Sequence, residues 1–203
     1  MRKKILGTDL KVSAIGLGCM GMNHAYGASV DKTEMINLIA QAVDIVCPVT
    51  AIQNRYSMMA RWHEKLFPVL EELNIGFVAF SPLANGFLSG KYNAQSVFEK
   101  NIDYRSIIPQ FQKDSYEKNQ EFLAWIQAFA EEKNATVAQI SLAWLVDKKP
   151  YLVPIPGTRK LERLKENAGA SDILLTPEEV KKTDDMLERI PMSEVFGGTK
   201  VTK

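Results

Sequence analysis

Cysteine and histidine are scarce in this 203-residue chain, two of each, and their scarcity removes several chemistries at once. Cys19 and Cys47 are too few for a disulfide scaffold, and neither stands at a metal-ligand spacing from a histidine. Net charge is equally short: 25 Lys+Arg against 24 Asp+Glu leaves +1, so no general field draws the chain to nucleic acid or to an anionic membrane. Long apolar runs are missing too. Ile75-Gly76-Phe77-Val78-Ala79-Phe80 falls far short of the roughly 18 residues that a membrane span needs. Met1-Arg2-Lys3-Lys4 leads into a polar stretch where a secretory signal requires an apolar one. The expectation is a reduced, cytoplasmic chain of one domain, residues 1–203, with a small molecule or a protein as its partner, and with no nucleic-acid or membrane role.

What the chain does contain is alternation. Two short apolar stretches around Gly7-Thr8-Asp9 suit a hairpin. Apolar character then marks strands near residues 13–18, 49–53, 76–80 and 151–155. Between and after them lie helical spacings. Met35, Leu38, Ile39, Ala42, Val43 and Val46 follow a cap at Asp31 with Glu34, and Pro48 stops that helix. Residues 63–73 and 159–167 read as helices. Phe122, Trp125, Ile126, Phe129 and Ala130 make one amphipathic stripe; Val137, Ile140, Trp144 and Leu145 make another behind Thr136 and Gln139. Thr176-Pro177-Glu178-Glu179 opens the last helix, with Val180, Thr183, Leu187 and Ile190 on its core face. Strands alternating with helices predict an α/β fold with a parallel sheet. Four strands are too few for a complete eight-unit barrel, which needs about 250 residues. Residues 84–115 are rich in Asn, Gly, Ser and Lys, and a loop so long is functional or disordered.

Parallel α/β proteins place ligands at the carboxyl ends of their strands. Two such ends carry chemistry here. Phe80-Ser81-Pro82-Leu83-Ala84-Asn85-Gly86 continues to Lys91, with small residues that admit a close backbone approach and a lysine within reach of a phosphate. Val153 to Asn167 gives a strand, a Gly157-Thr158 turn and a helix start, with Arg159, Lys160 and Arg163 adding positive charge to the backbone donors of an anion site.

These stretches, together with Leu6 to Ser13, Ile15 to Met22, Ile52-Gln53-Asn54 with Tyr56-Ser57, and Asp103-Tyr104-Arg105, resemble the aldo-keto reductases, in the long-chain bacterial branch related to potassium-channel β subunits. The resemblance implies an NADP-dependent enzyme that moves a hydride between NADPH and an aldehyde or ketone. It implies that Gln53 holds the nicotinamide carboxamide and that Phe80 stacks on the nicotinamide ring. Ser81, Pro82, Leu83, Ala84, Asn85 and Lys91 would line the pyrophosphate, with Arg105 closing over it. Gly157, Arg159, Arg163, Glu166 and Asn167 would hold the adenosine and its 2′-phosphate. Cations at the last site are what selection of NADP over NAD demands, since an NAD site typically uses an acidic residue on the ribose.

The resemblance also shows a gap. The family supplies a proton from a Tyr assisted by Lys, Asp and His, and an unperturbed phenol with a pKa near 10 needs such help at neutral pH. The stretches that carry those four residues are absent, so no catalytic residue is assigned; Tyr26, His24 and His63 do not take their place. The first helix runs at residues 45–48 directly into what resembles the sixth strand. The expected fold is therefore a partial (β/α)8 TIM-type barrel of about four parallel strands plus an N-terminal hairpin, truncated by an internal deletion of strands two to five. Three readings stay open: an oxidoreductase impaired by the deletion, a non-catalytic NADP-binding or partner-binding half-barrel remnant, and two ends of one gene joined in error. Exposed sheet edges are expected to favour self-association of the chain.

Overall fold

The computed structural model describes residues 3–6, 10–13, 31–45 and 49–196. The chain divides into two compact units, residues 1–50 and 51–203. The boundary falls just after the expected junction, whose residues 46–48 lie outside the described ones.

In the first unit, β1 (Lys3–Leu6) pairs antiparallel with β2 (Leu10–Ser13), Lys3 opposite Ser13 and Leu6 opposite Leu10, which is the expected hairpin. Ser13 closes β2, and the rest of the strand expected over 13–18 lies outside the described residues. α1 (Lys32–Ile45) begins where Asp31 Oδ1 accepts the Thr33 and Glu34 N–H groups, at 2.8 and 3.1 Å. Leu38 and Ile39, on the apolar helical repeat, are 44% and 37% exposed.

The second unit holds a three-stranded sheet, β3 (Ala51–Arg55), β4 (Gly76–Phe80) and β5 (Leu152–Pro154), in that order and parallel throughout. Three strands of the expected parallel set are thus seen among the described residues. β3 sits two residues later than its apolar run suggests, because pairing with β4 carries the polar Asn54 and Arg55 into the ladder, opposite Ala79 and Phe80. Alternation decides the faces. Phe77, Ala79 and Leu152 are buried, whereas Val153 on the other face is 56% exposed.

Helices cover the buried face. The helix expected over 63–73 is shorter: a 3-10 turn, Glu64–Leu66, leads into α2 (Phe67–Glu72), so His63 precedes the helical turns instead of lying within them. Pro68 explains the late start, since it is tolerated only in a first turn. α3 (Lys113–Lys118) and α4 (Gln120–Glu132) follow, the latter burying Phe122, Ile126, Phe129 and Ala130. α5 (Val137–Lys148) is buried nearly all round, as a helix apolar on every side must be. Thr136 with Gln139 caps it, and Thr176 with Glu179 caps α7 (Pro177–Arg189), both as reciprocal capping boxes. α6 (Leu161–Gly169) starts two residues later than expected, which leaves Arg159 in the preceding turn.

The long stretch after β4 is structured. Short 3-10 turns at Ala84–Ser89, Tyr104–Ser106 and Pro109–Phe111 carry Phe87, Leu88, Ile108 and Phe111 into the core. Apolar anchors spaced irregularly along a polar loop leave no periodic trace, yet each buried aromatic supplies a large apolar area.

Candidate functional site

Because β3, β4 and β5 run parallel, their carboxyl ends meet on one side of the sheet, and there the sequence departs from ordinary backbone geometry. Ser81, Ala84 and Asn85 all adopt positive φ, at 53°, 48° and 60°, followed by Gly86 at 96°. Non-glycine residues in this region cost on the order of 1–3 kcal/mol each and persist only when their surroundings hold them. Here the backbone bonds Ala84 N–H to Ser81 O (3.0 Å) and Gly86 N–H to Leu83 O (2.9 Å) close the turn, while buried Pro82, Ala84, Phe87 and Leu88 seat it.

The side chains complete that support. Arg55, the last residue of β3, donates from Nη1 to Ser81 Oγ at 2.9 Å and to Asn85 Oδ1 at 3.2 Å. The Asn85 N–H donates to Ser81 Oγ at 3.2 Å. Gln110, fully buried, donates from Nε2 to Asn85 Oδ1 at 3.1 Å and accepts the Phe196 N–H at 3.0 Å. The Arg55 guanidinium also lies 5.0 Å from the Phe80 ring and 5.5 Å from that of Phe196, and burial lowers its pKa from the usual guanidinium value. Tyr104 packs edge-on against Phe196 with ring centroids 4.9 Å apart. Gln53, one strand pair behind Arg55 and opposite Val78, is exposed.

A second group gathers around an open cavity of about 580 Å3 lined by Lys91, Thr136, Gln139, Lys160, Glu162, Arg163 and Glu166. Lys160 is the N-cap of α6 and offers that helix no side-chain cap. Arg163 pairs with Glu166 one turn later. Lys91 follows Gly90, whose φ of 68° turns the chain, and its Nζ lies 5.3 Å from the Tyr92 ring. Arg105 forms a third group: it is held by the Asp103 carboxylate and Tyr92 OH and lies over the rings of Tyr92 and Phe98 at 4.6 and 4.9 Å. That pairing holds the Asp103 carboxyl below the usual carboxylate range. Gly157 and Arg159 stand exposed in the turn before α6, and Asn167 is partly buried within it.

The sequence-expected residues therefore fall into clusters. Phe80, Ser81, Pro82, Leu83, Ala84 and Asn85 form one turn; Lys91, Arg163 and Glu166 share a cavity; Arg105 has its own pairings. Arg55 and Gln110 escaped sequence reasoning. The available signal was polarity out of place, a charged residue closing a parallel strand and a lone Gln inside Ile108-Pro109-Gln110-Phe111. Among the described residues no group of three or more His, Cys, Asp or Glu is placed to hold a metal ion, and no helix is long and apolar enough to cross a membrane.

Two described tyrosines near this region have hydroxyls bound to charged side chains. Tyr56 OH donates to Glu64 Oε1 at 2.6 Å, and burial beside that carboxylate pushes its pKa well above the ordinary phenol value. Tyr92 is bound to Arg105, and burial raises the Tyr104 pKa.

Comparison with known proteins agrees with the geometry. The chain is 38% identical over 156 residues to aldo-keto reductase str7 of Strobilurus tenacellus, covering 75% of this chain and 45% of that protein. It superposes on the glycerol dehydrogenase AKR11B4 of Gluconobacter oxydans with a TM-score of 0.68 at 28% identity, over 85% of this chain and 51% of the other. An aldo-keto reductase of Klebsiella pneumoniae, solved in complex with NADPH, shares the fold with a TM-score of 0.52 at 24% identity, over 78% of this chain and 46% of that one. The chain spans about half the length of the curated relatives it matches. The three parallel strands and their helices are accordingly part of a (β/α)8 barrel. The Aldo/keto reductase family matches residues 25–188, and the chain belongs to that family.

Proposed function

We propose that the chain binds NADP(H) as an aldo-keto reductase does but does not itself turn over a carbonyl substrate. The observation that carries the binding half is the cavity in which Lys91, Lys160 and Arg163 converge on the start of α6. Lys91, Lys160 and Arg163, the last paired with Glu166, beside a helix start that no side chain caps, make a donor set for a phosphate. A phosphomonoester on the ribose is what distinguishes NADP from NAD, so the residues present fit the larger cofactor. The open Ser81–Asn85 turn, with Phe80 before it, stands where the diphosphate and nicotinamide would lie by the family likeness. Gln53 would orient the carboxamide, Arg105 would close over the diphosphate, and Gly157, Arg159, Glu166 and Asn167 would hold the adenosine. In the family's reaction the bound nicotinamide would supply a hydride to an aldehyde or ketone.

The second half of the proposal rests on the proton. Reduction of a carbonyl needs an acid near the substrate oxygen. Tyr56 and Tyr92 are hydrogen-bonded to Glu64 and Arg105, and the family's Asp, Tyr, Lys and His stretches are not in the sequence. The low cysteine count and near-neutral charge support a reduced, cytoplasmic setting. Residues 1–203 are read as a single truncated barrel domain, with the deletion junction near residues 45–48.

Tryptophan quenching by NADPH and NADH, beside a carbonyl-dependent absorbance assay, tests both halves. NADPH is expected to bind more tightly than NADH without steady turnover. Arg163→Ala removes a charge-assisted hydrogen bond and weakens NADPH roughly tenfold or more while leaving NADH little changed. Turnover above background, or equal loss of both cofactors, refutes the proposal.

A further inference from the structure

Arg55 has no place in the cofactor set that the family likeness supplies, yet it holds two residues of that set at once. Proton accounting fixes the network. Arginine only donates, so Ser81 Oγ accepts from Arg55 Nη1 and from the Asn85 N–H. The hydroxyl hydrogen of Ser81 then goes to Asn85 Oδ1, 3.4 Å away. That oxygen also accepts from Arg55 and from Gln110 Nε2. Three donors converging on Oδ1 settle which way the Asn85 amide faces. Its two Nδ2 hydrogens are left outside this network, on a residue whose φ of 60° is itself strained.

We propose that Arg55 is a positioning residue for cofactor binding: with Gln110 it locks the Asn85 amide oxygen inward, so that the strained Ser81–Asn85 turn presents the amide N–H2 as a donor to the diphosphate. This rests on the cofactor reading above. Arg55 suits the role for three reasons. It ends β3 directly opposite Phe80, so its backbone is fixed by the sheet. Its guanidinium is held over the Phe80 ring on one side and the Phe196 ring on the other. Both acceptors on Nη1 are neutral oxygens that themselves lie on the turn, so the charge is directed at the turn's shape.

The test compares two ligands on the full chain, NADPH and adenosine 2′,5′-bisphosphate, which lacks the diphosphate-to-nicotinamide half. Arg55→Met keeps the side-chain length and removes the donors. It is expected to weaken NADPH by about tenfold, the effect of one charge-assisted hydrogen bond, and to leave adenosine 2′,5′-bisphosphate within about twofold. Arg55→Lys, which retains a donor, recovers part of the loss. Asn85→Gly keeps the left-handed backbone without strain and removes the acceptor; in that background Arg55→Met is expected to add little further loss. Equal weakening of both ligands would make Arg55 a general support of the fold and overturn the proposal. So would unchanged NADPH binding in Arg55→Met, or additive losses in the double variant. Failure of the unaltered chain to bind either ligand would overturn the cofactor reading and this assignment with it.

Discussion

Trp144, fully buried in α5, donates its indole N–H to Asp184 Oδ1 on α7 at 3.0 Å. The same carboxylate pairs with Lys148 Nζ at 2.6 Å, and Lys148 in turn lies 3.4 Å from Glu64, the acceptor of the Tyr56 hydroxyl. Tyr56 stacks on Trp144 with centroids 5.7 Å apart, which closes the circuit. One polar network thus fastens the central helix to the end of β3 and to the last helix.

Asp184→Ala leaves a buried indole donor without its acceptor and the Lys148 ammonium with Glu64 as its remaining partner, and is expected to cost about 2 kcal/mol. Asp184→Asn keeps an oxygen for the indole and loses mainly the charge pair with Lys148, so about 1 kcal/mol or less is expected. Urea unfolding followed by tryptophan emission measures both. Equal costs for the two variants contradict the assignment of the indole bond as the larger part.

The capping box of α7 predicts a local effect. Thr176→Ala removes the acceptor of the Glu179 N–H and is expected to destabilise by about 1 kcal/mol, with Thr176→Gly closer to neutral. Thermal unfolding of the two variants checks the order.

Raising the pH is expected to destabilise the second unit through Tyr151. Its hydroxyl donates to Glu71 at 3.1 Å, and burial together with that carboxylate pushes its pKa up to about 12. An acid whose pKa rises on folding is held neutral by the fold, so this contribution is complete below the unfolded value near 10 and fades as the pH climbs through about 12. Tyr151→Phe is expected to flatten the alkaline fall of the melting temperature across that window. An identical fall in both proteins refutes the link.

Among the described residues the sheet ends at β3 on one side and β5 on the other, and Val153 and Ile155 are 56% and 45% exposed. Unpaired edges beside an apolar face favour pairing with another chain. Light scattering of the purified chain is expected to show a mass that rises with concentration; a monomer unchanged over a hundredfold range of dilution contradicts this.

Sequence by itself determined the elements whose causes are local. The Thr136/Gln139 and Thr176/Glu179 boxes lie within four residues of what they cap, and β4 sits where its unbroken apolar run places it. The family likeness was legible for the same reason, since its motifs are contiguous. Tertiary structure decided the rest. β3 shifted to Ala51–Arg55 because its partner β4, and not its own hydropathy, sets where the ladder ends. The loop after β4 became a string of anchored 3-10 turns because its aromatics found a core that periodicity does not encode. Arg55, Ser81, Asn85, Gln110 and Phe196 meet across separations of 25 to 86 residues within the bonded pairs that span the network's longer reaches. No local pattern announces such a meeting, because hydrogen bonds act over about 3 Å in space whatever the distance along the chain; the parallel pairing of β3 with β4 sets Arg55 beside the Ser81–Asn85 turn, and the seating of the Pro109–Phe111 turn brings Gln110 to it.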